Sequence, residues 1–234
     1  MNKTDKIILQ AKKEGRTMLL EPEAKAVCID YGIPVTKFNV AKNEKEAADF
    51  ATKIGFPVVL KIISPEIIHK TEAGGVKVNL KTPEEVKAAY NTILANTKKY
   101  NPKANIVGIL VQEMAPQSTE VIVGSVKDAT FGQTVMFGLG GIFVEMLKDV
   151  TFRVAPLTRQ DALSMVTEIK AYSLLKGYRN SPAVDINAIV DTLMRVSELV
   201  MDHPEIKELD LNPIMVYETG AKAVDTRIIL EPSF

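Results

Sequence analysis

The stretch "GFPVVLKIISPEIIHKTEAGGVKV", from Gly55 to Val78, decides how the chain is read. A glycine and a proline close one element and lead into the apolar run "VVLKI". Strand alternation places Val58, Leu60 and Ile62 on one face and Val59, Lys61 and Ile63 on the other. A lysine among apolar strand neighbours snorkels to the surface, pairs with an acid, or meets an anionic ligand. Lys77, in the following strand "VKVNL", invites the same readings. Between the strands stands His69, one of two histidines in the chain, just before Lys70, Thr71 and an Ala-Gly-Gly. A histidine in such a loop is either a solvated surface residue or a catalytic one. The other, His203 in "VMDHPEIKE", belongs to a polar turn at a helix end.

Working outward, helical and extended patterns alternate, which indicates an α+β or α/β protein. "EPEAKAVCIDYGIPV" predicts a helix from Pro22 that ends at Gly32. "KNEKEAADFATKIG" predicts another, closed by Gly55. "TPEEVKAAYNTILANTKKY" is a third, capped by Thr82 with Pro83 in its first turn. "ANIVGILVQEM" is apolar on both faces, as a central strand is. Beyond the polar turn "APQSTE", the segments "EVIVGSVKD" and "TVMFGL" read as strands. "RQDALSMVTEIKAYSLLKG" reads as one helix and "DINAIVDTLMRVSELVMDH" as another. The latter aligns Ile186, Ile189, Val190, Leu193, Val196, Leu199 and Val200 on one face. The chain closes with two extended runs around a turn at Gly220. Two lobes are predicted, divided near residue 110.

Composition narrows the function classes. With 234 residues the chain can bury a substantial core, and its 29 basic and 29 acidic residues cancel. A nucleic-acid or membrane-surface protein would show a basic excess, so neither partner is expected. Apolar runs such as "IVGILV" fall short of a membrane span, and the N-terminus lacks the apolar core of a signal peptide. The single cysteine, Cys28, excludes an internal disulfide and reads as a small buried residue. A cytoplasmic location is expected.

Two further segments can carry chemistry. "GLGGIFVE", from Gly138, offers backbone N–H groups at the end of a strand, suited either to phosphate oxygens or to a tight structural turn. In "ELDLNPIMV", Asp210 and Asn212 share a strand face, opposite Leu209 and Leu211. Asp225 and Arg227 share a face in "KAVDTRIIL". If the connection has an even number of residues, Asp225 falls on the face of Asn212, directly opposite or one diagonal step away. Oxygen ligands so grouped suit Mg²⁺, which keeps water and substrate phosphates in its shell; a hydrogen-bonded pair of turn formers is the other reading.

These segments together resemble the ATP-grasp fold and, within it, the β subunits of ADP-forming acyl-CoA synthetases. The resemblance rests on "EPEAKAVCIDYGIPV", "GFPVVLKIISPEIIHKTEAGGVKV", "GQTVMFGLGGIFVEMLKDVTFRVAPL" and "ELDLNPIMV", in that order. It implies two α+β lobes with ATP or ADP bound between them: residues 1–22 a helix packing on the second lobe, 23–110 the first lobe, 111–234 the second. It implies reversible conversion of acyl-CoA, ADP and phosphate to acid, ATP and CoA. A CoA-binding α partner, in an α2β2 assembly, would carry a first phosphohistidine and His69 the second. Lys61 would hold nucleotide phosphates, with Lys25 the matching lysine of the opening helix. Gln112, Glu113 and Met114 would form the hinge that reads adenine, Glu120 the ribose acid, and Gly140 and Gly141 the glycine loop. Asn212 and Asp225 would bind Mg²⁺, with Asp210 the acid beside them. Arg179-Asn180 departs from the family's usual Arg-Gly. Two alternatives stand beside this reading: an ATP-grasp carboxylate ligase without phosphohistidine, and a nucleotide-sensing module.

Overall fold

A computed structural model describes residues 2–141, 149–177 and 182–232. The Arg179-Asn180 pair, and the glycine segment from Ile142 onward, lie outside the described residues. The chain divides into two compact units.

The first unit comprises Leu20–Pro22 and Thr36–Ala115. Its strands are β1 (Phe38–Ala41), β2 (Val58–Ile63), β3 (Val76–Leu80) and β4 (Gly108–Glu113), in the antiparallel order β1-β4-β2-β3. "ILVQE" is thus an inner strand, as its two apolar faces predict. Its helices are α3 (Glu44–Ile54) and α4 (Pro83–Tyr100). Asn43 caps α3, and Thr82 caps α4 by accepting from Glu85 N. Ala47, Ala48 and Ala51 of α3 and Val86, Ala89, Tyr90 and Ile93 of α4 form one core with Val58, Leu60, Ile62, Ile109 and Val111. Val59, Lys61 and Ile63 stay outside that core, on the opposite sheet face, in agreement with the period of two.

The second unit comprises Met1–Leu19, Glu23–Val35 and Pro116–Phe234. Its helices are α1 (Lys3–Lys13), α2 (Glu21–Asp30, whose first two residues belong to the other unit), α5 (Arg159–Glu168), α6 (Tyr172–Leu175) and α7 (Ile186–Asp202). Its strands are β5 (Thr119–Asp128), β6 (Gly132–Leu139), β7 (Val150–Val154), β8 (Ile206–Val216), β9 (Ala221–Ala223) and β10 (Thr226–Leu230). They pair in the order β10-β8-β5-β6-β7, with β9 on β8. The apolar stripe of α7 packs on Val121, Val123, Val135, Phe137, Leu209, Leu211 and Ile228, and Ala24, Val27 and Cys28 of α2 join the same core. Residues 23–35 therefore belong with this sheet rather than with 36–110, and the chain changes unit at Ala115/Pro116. Burial raises the Cys28 thiol to about 12, so it is an inert core residue.

Three local features differ from the sequence reading. Strands β1 and β7 were not anticipated; both are only four or five residues long. The helix from Arg159 breaks at Ile169, because the buried Asp149 carboxylate accepts from Lys170 N and Ala171 N, both at 2.8 Å. Those two donors are withdrawn from helical bonding by a residue distant in sequence. His203 ends α7 as expected, yet it is buried against Tyr31, with Nδ1 3.9 Å from Asp5.

Candidate functional site

In the first unit, Lys61 is buried mid-strand and its Nζ lies 2.7 Å from Glu21 Oε1. The other oxygen of Glu21 takes Lys70 Nζ at 2.5 Å. One buried carboxylate thus clasps the strand lysine and the residue after His69. Neither Glu21 nor Lys70 is conspicuous in the sequence: an acid opening a helix reads as a partner of the helix dipole, and Lys70 as a solvated loop residue. The only available signal was Lys61 itself, which needed an acid.

His69 sits on the loop between β2 and β3 with its side chain 71% exposed, 3.9 Å from an equally exposed Glu72. Ile67 and Ala73 anchor the two ends of this loop in the core, while Ile68 is 57% exposed. The loop closes on itself through Ala73 N to His69 O, Gly74 N to Thr71 O and Gly75 N to Lys70 O. Gly75 is required there, since a Cβ would lie 2.5 Å from Ile62 Cγ2. Lys77 is exposed, so the snorkelling reading holds for it.

Gln112 pairs with Val59 across the sheet and so shares the face of Lys61. It is buried, and its Oε1 has no hydrogen-bond partner among the described residues. Glu113 N donates to Lys37 O, Lys37 N donates to the Glu113 carboxylate, and Met114 N donates to Pro57 O. The Glu113 and Met114 N–H groups are thus engaged within the unit, while the Gln112 side-chain carbonyl is not.

In the second unit, Arg227 pairs with Asp210 and Thr226 with Leu211, which sets Asp225 opposite Asn212. The Asn212 N–H donates to Asp225 O at 3.3 Å. Asp210, Asn212 and Asp225 thus share the face turned away from Leu209 and Leu211. Burial pushes the Asp210 carboxyl above its ordinary range; Arg227 opposes this, and the charges of Glu208 and Asp225 add to it. Glu120 lies beside the glycine pair, with Gly140 N donating to Glu120 O at 2.7 Å. A Cβ at Gly140 would come within 2.8 Å of Glu120 Cβ, and Gly141 has φ +63°. The pairing of these residues needs glycine at both positions.

Lys25 stands on α2 in the second unit. It is wholly buried, and its Nζ donates to Val224 O at 2.9 Å. It braces the turn that carries Asp225.

No cluster of three or more His, Cys, Asp or Glu side chains suited to a metal occurs among the described residues. A cation at Asn212 and Asp225 would therefore draw the rest of its shell from water and phosphate oxygens, which is the habit of Mg²⁺.

The sequence matches the ATP-grasp domain family over residues 10–230. It is 54% identical over 228 residues to the β subunit of ADP-forming acetate–CoA ligase I of Pyrococcus furiosus, covering 97% of this chain and 98% of that one. The chain belongs to the ATP-grasp family of ADP-forming acyl-CoA synthetase β subunits. Among solved structures, dinucleotide-forming acetyl-coenzyme A synthetase 1 of Ca. Korarchaeum cryptofilum, in complex with coenzyme A, Ca-AMPCP and HgCl⁺, matches this β subunit with TM-score 0.95 and 54% identity. The match covers 97% of this chain and all of that one. A second structure of that protein, with coenzyme A and Mg-AMPPCP, has its phosphohistidine segment pointing towards the nucleotide-binding site. It matches with TM-score 0.87 and 50% identity over 97% of this chain and all of that one. Among the described residues, no helix of the β subunit is long and apolar enough to cross a membrane.

Proposed function

We infer that this β subunit binds the nucleotide and relays a phosphoryl group through His69, so that acyl-CoA, ADP and phosphate interconvert with acid, ATP and CoA. The observation that carries this reading is His69 itself: an imidazole 71% exposed, on a loop anchored at both ends and next to a lysine tied to the acid of Lys61. An exposed imidazole is a competent phosphoryl acceptor through a ring-nitrogen lone pair. A ring nitrogen of His69 attacks the phosphorus carried by the partner, the new N–P bond forms, and the partner's bond to phosphorus breaks. The terminal phosphate oxygen of ADP then attacks, the N–P bond of His69 breaks, and ATP leaves with a neutral imidazole restored.

Lys61 steadies the nucleotide phosphates through charge-assisted hydrogen bonds. Gln112 offers an unsatisfied carbonyl to a base amino group, and Glu120 a carboxylate to ribose hydroxyls. Asn212 and Asp225 hold Mg²⁺, with Asp210 beside them, and the ion when bound neutralises phosphate charge. The CoA half of the reaction requires an α subunit, assembled with this chain as α2β2.

Co-expression with the α partner tests the reading. The purified pair should form ATP from acetyl-CoA, ADP and phosphate and scatter light as a heterotetramer, while this chain alone forms none. Full synthetase activity from the isolated chain would refute it.

A further inference from the structure

The carboxylate of Glu21 is 3% exposed and divides its two oxygens between Lys61 Nζ and Lys70 Nζ, at 2.7 and 2.5 Å. The two lysines differ in how freely they can leave. Lys61 is fixed in the middle of β2, between buried neighbours, and its side chain is 10% exposed. Lys70 rides on the His69 loop, and its side chain is 22% exposed. Water can replace Glu21 at Lys70 far more cheaply than at Lys61, because a partly exposed ammonium keeps more of its hydration. The Lys70 bond is therefore the more readily broken of the two.

The rest of the loop has the same division. Ile67 and Ala73 are held in the core, whereas Ile68, His69 and Glu72 project into solvent. Between the anchors, the described side-chain tie to the body of the unit is Lys70 to Glu21, joined at the loop's end by Asn96 Nδ2 on Gly74 O at 3.1 Å. Ile68, exposed beside the histidine, adds no burial that would hold the middle of the loop, so between the two buried anchors the Lys70–Glu21 bond is the side-chain tie.

We propose that Glu21 is a positioning residue whose bond to Lys70 clasps the His69 loop in its nucleotide-facing orientation, with the bond to Lys61 as the fixed end. The proposal rests on the relay function inferred for His69. Because the acid of the clasp is also the acid of the phosphate-holding lysine, the histidine docks against the same strand that presents the phosphate. Release of Lys70 frees the loop without displacing Lys61.

Hydrogen exchange on the full chain, without nucleotide or partner, reads the clasp independently of chemistry. The reporters are the Ala73, Gly74 and Gly75 amides, donated to His69, Thr71 and Lys70 carbonyls. Glu21→Gln and Lys70→Gln should each speed their exchange roughly tenfold or more, the effect of losing a charge-assisted bond. The double variant should show no further gain, and α4 amides should be unchanged. Lys70→Gln leaves the Lys61–Glu21 pair in place, so it decides the matter if Glu21→Gln folds poorly. In the complex with the α partner, Lys70→Gln should slow labelling of His69 from radioactive ATP roughly tenfold while Mg-ADP affinity stays within about twofold. Unchanged exchange at the three amides in Lys70→Gln, or additive effects of the two substitutions, would overturn the clasp. An unlabelled wild-type β chain would instead overturn the relay, and the exchange data would still decide the clasp.

Discussion

Replacing His69 by asparagine should separate fold from function almost completely. The imidazole is 71% exposed and faces Glu72, itself 71% exposed, at 3.9 Å. An exposed pair of this kind is worth at most about 0.5 kcal/mol. The His69 carbonyl, which accepts from Ala73 N, is retained in the variant. Unfolding free energy should therefore change by no more than about 0.5 kcal/mol, or roughly 1–2 °C in Tm for a chain of this length. Mg-ADP affinity, measured by calorimetry, should also be unchanged. Phosphoryl transfer should fall below detection, since an asparagine amide is no phosphoryl acceptor. With the α partner present, wild type incubated with radiolabelled ATP and Mg²⁺ should acquire acid-labile, base-stable label on the β chain, and the variant none. Exchange of phosphate with acyl-CoA at the partner should survive, because that step needs only docking of this chain. Label on the variant, or normal ATP formation by it, would refute the reasoning and return His69 to the solvated-loop reading.

Other substitutions probe the remaining groups. Lys61→Ala should weaken Mg-ADP binding roughly ten- to a hundredfold by calorimetry, the value of a charge-assisted contact, and Asp225→Ala should weaken it in a Mg²⁺-dependent manner. Unchanged affinity in both would move the site elsewhere. Asp149→Ala, which strips two bonds of 2.8 Å from the backbone at Lys170 and Ala171, should cost about 2–4 kcal/mol in urea denaturation. Asp185 accepts from Gly220 N and Ala188 N, which holds its carboxyl below the ordinary value of 3.8. A depressed carboxyl stabilises the fold above its unfolded pKa and stops doing so as pH falls through the folded one. The stability gap between wild type and Asp185→Asn should therefore be present at pH 7 and shrink below pH 3.8, as read by thermal melts; a gap that is constant with pH would exclude this account.

What the sequence made legible was periodic and local. Alternation alone separated Val58, Leu60 and Ile62 from Lys61, and the structure keeps them on opposite faces. The Asp210, Asn212 and Asp225 grouping followed from the parity of the hairpin register, which the pairing of Thr226 with Leu211 satisfies. The missed features have causes that lie far away in sequence. The helix break at Ile169 is made by Asp149, and the bond of Lys25 Nζ to Val224 O joins residues 199 positions apart. The burial of His203 depends on Tyr31 and Asp5, from segments far upstream in the chain. Strand β1 was too short, and too broken by Asn39, to show a period.

The distribution of charge over the two units supports the reading from another direction. The first unit gathers Lys61, Lys70 and His69 around one buried acid. The second carries Glu120 beside the glycine pair and Asp210 and Asp225 on facing segments, where burial above all, with Glu208 and Asp225 adding and Arg227 opposing, raises the Asp210 carboxyl. Each cluster mixes signs: Glu21 lies between the two lysines, and Arg227 lies beside Asp210. Under the proposed function the lysine group would meet phosphate oxygens and the acidic group a divalent cation. Neither cluster is recognisable from its residues alone, since two clasped lysines read as an ion pair and two carboxylates as turn residues.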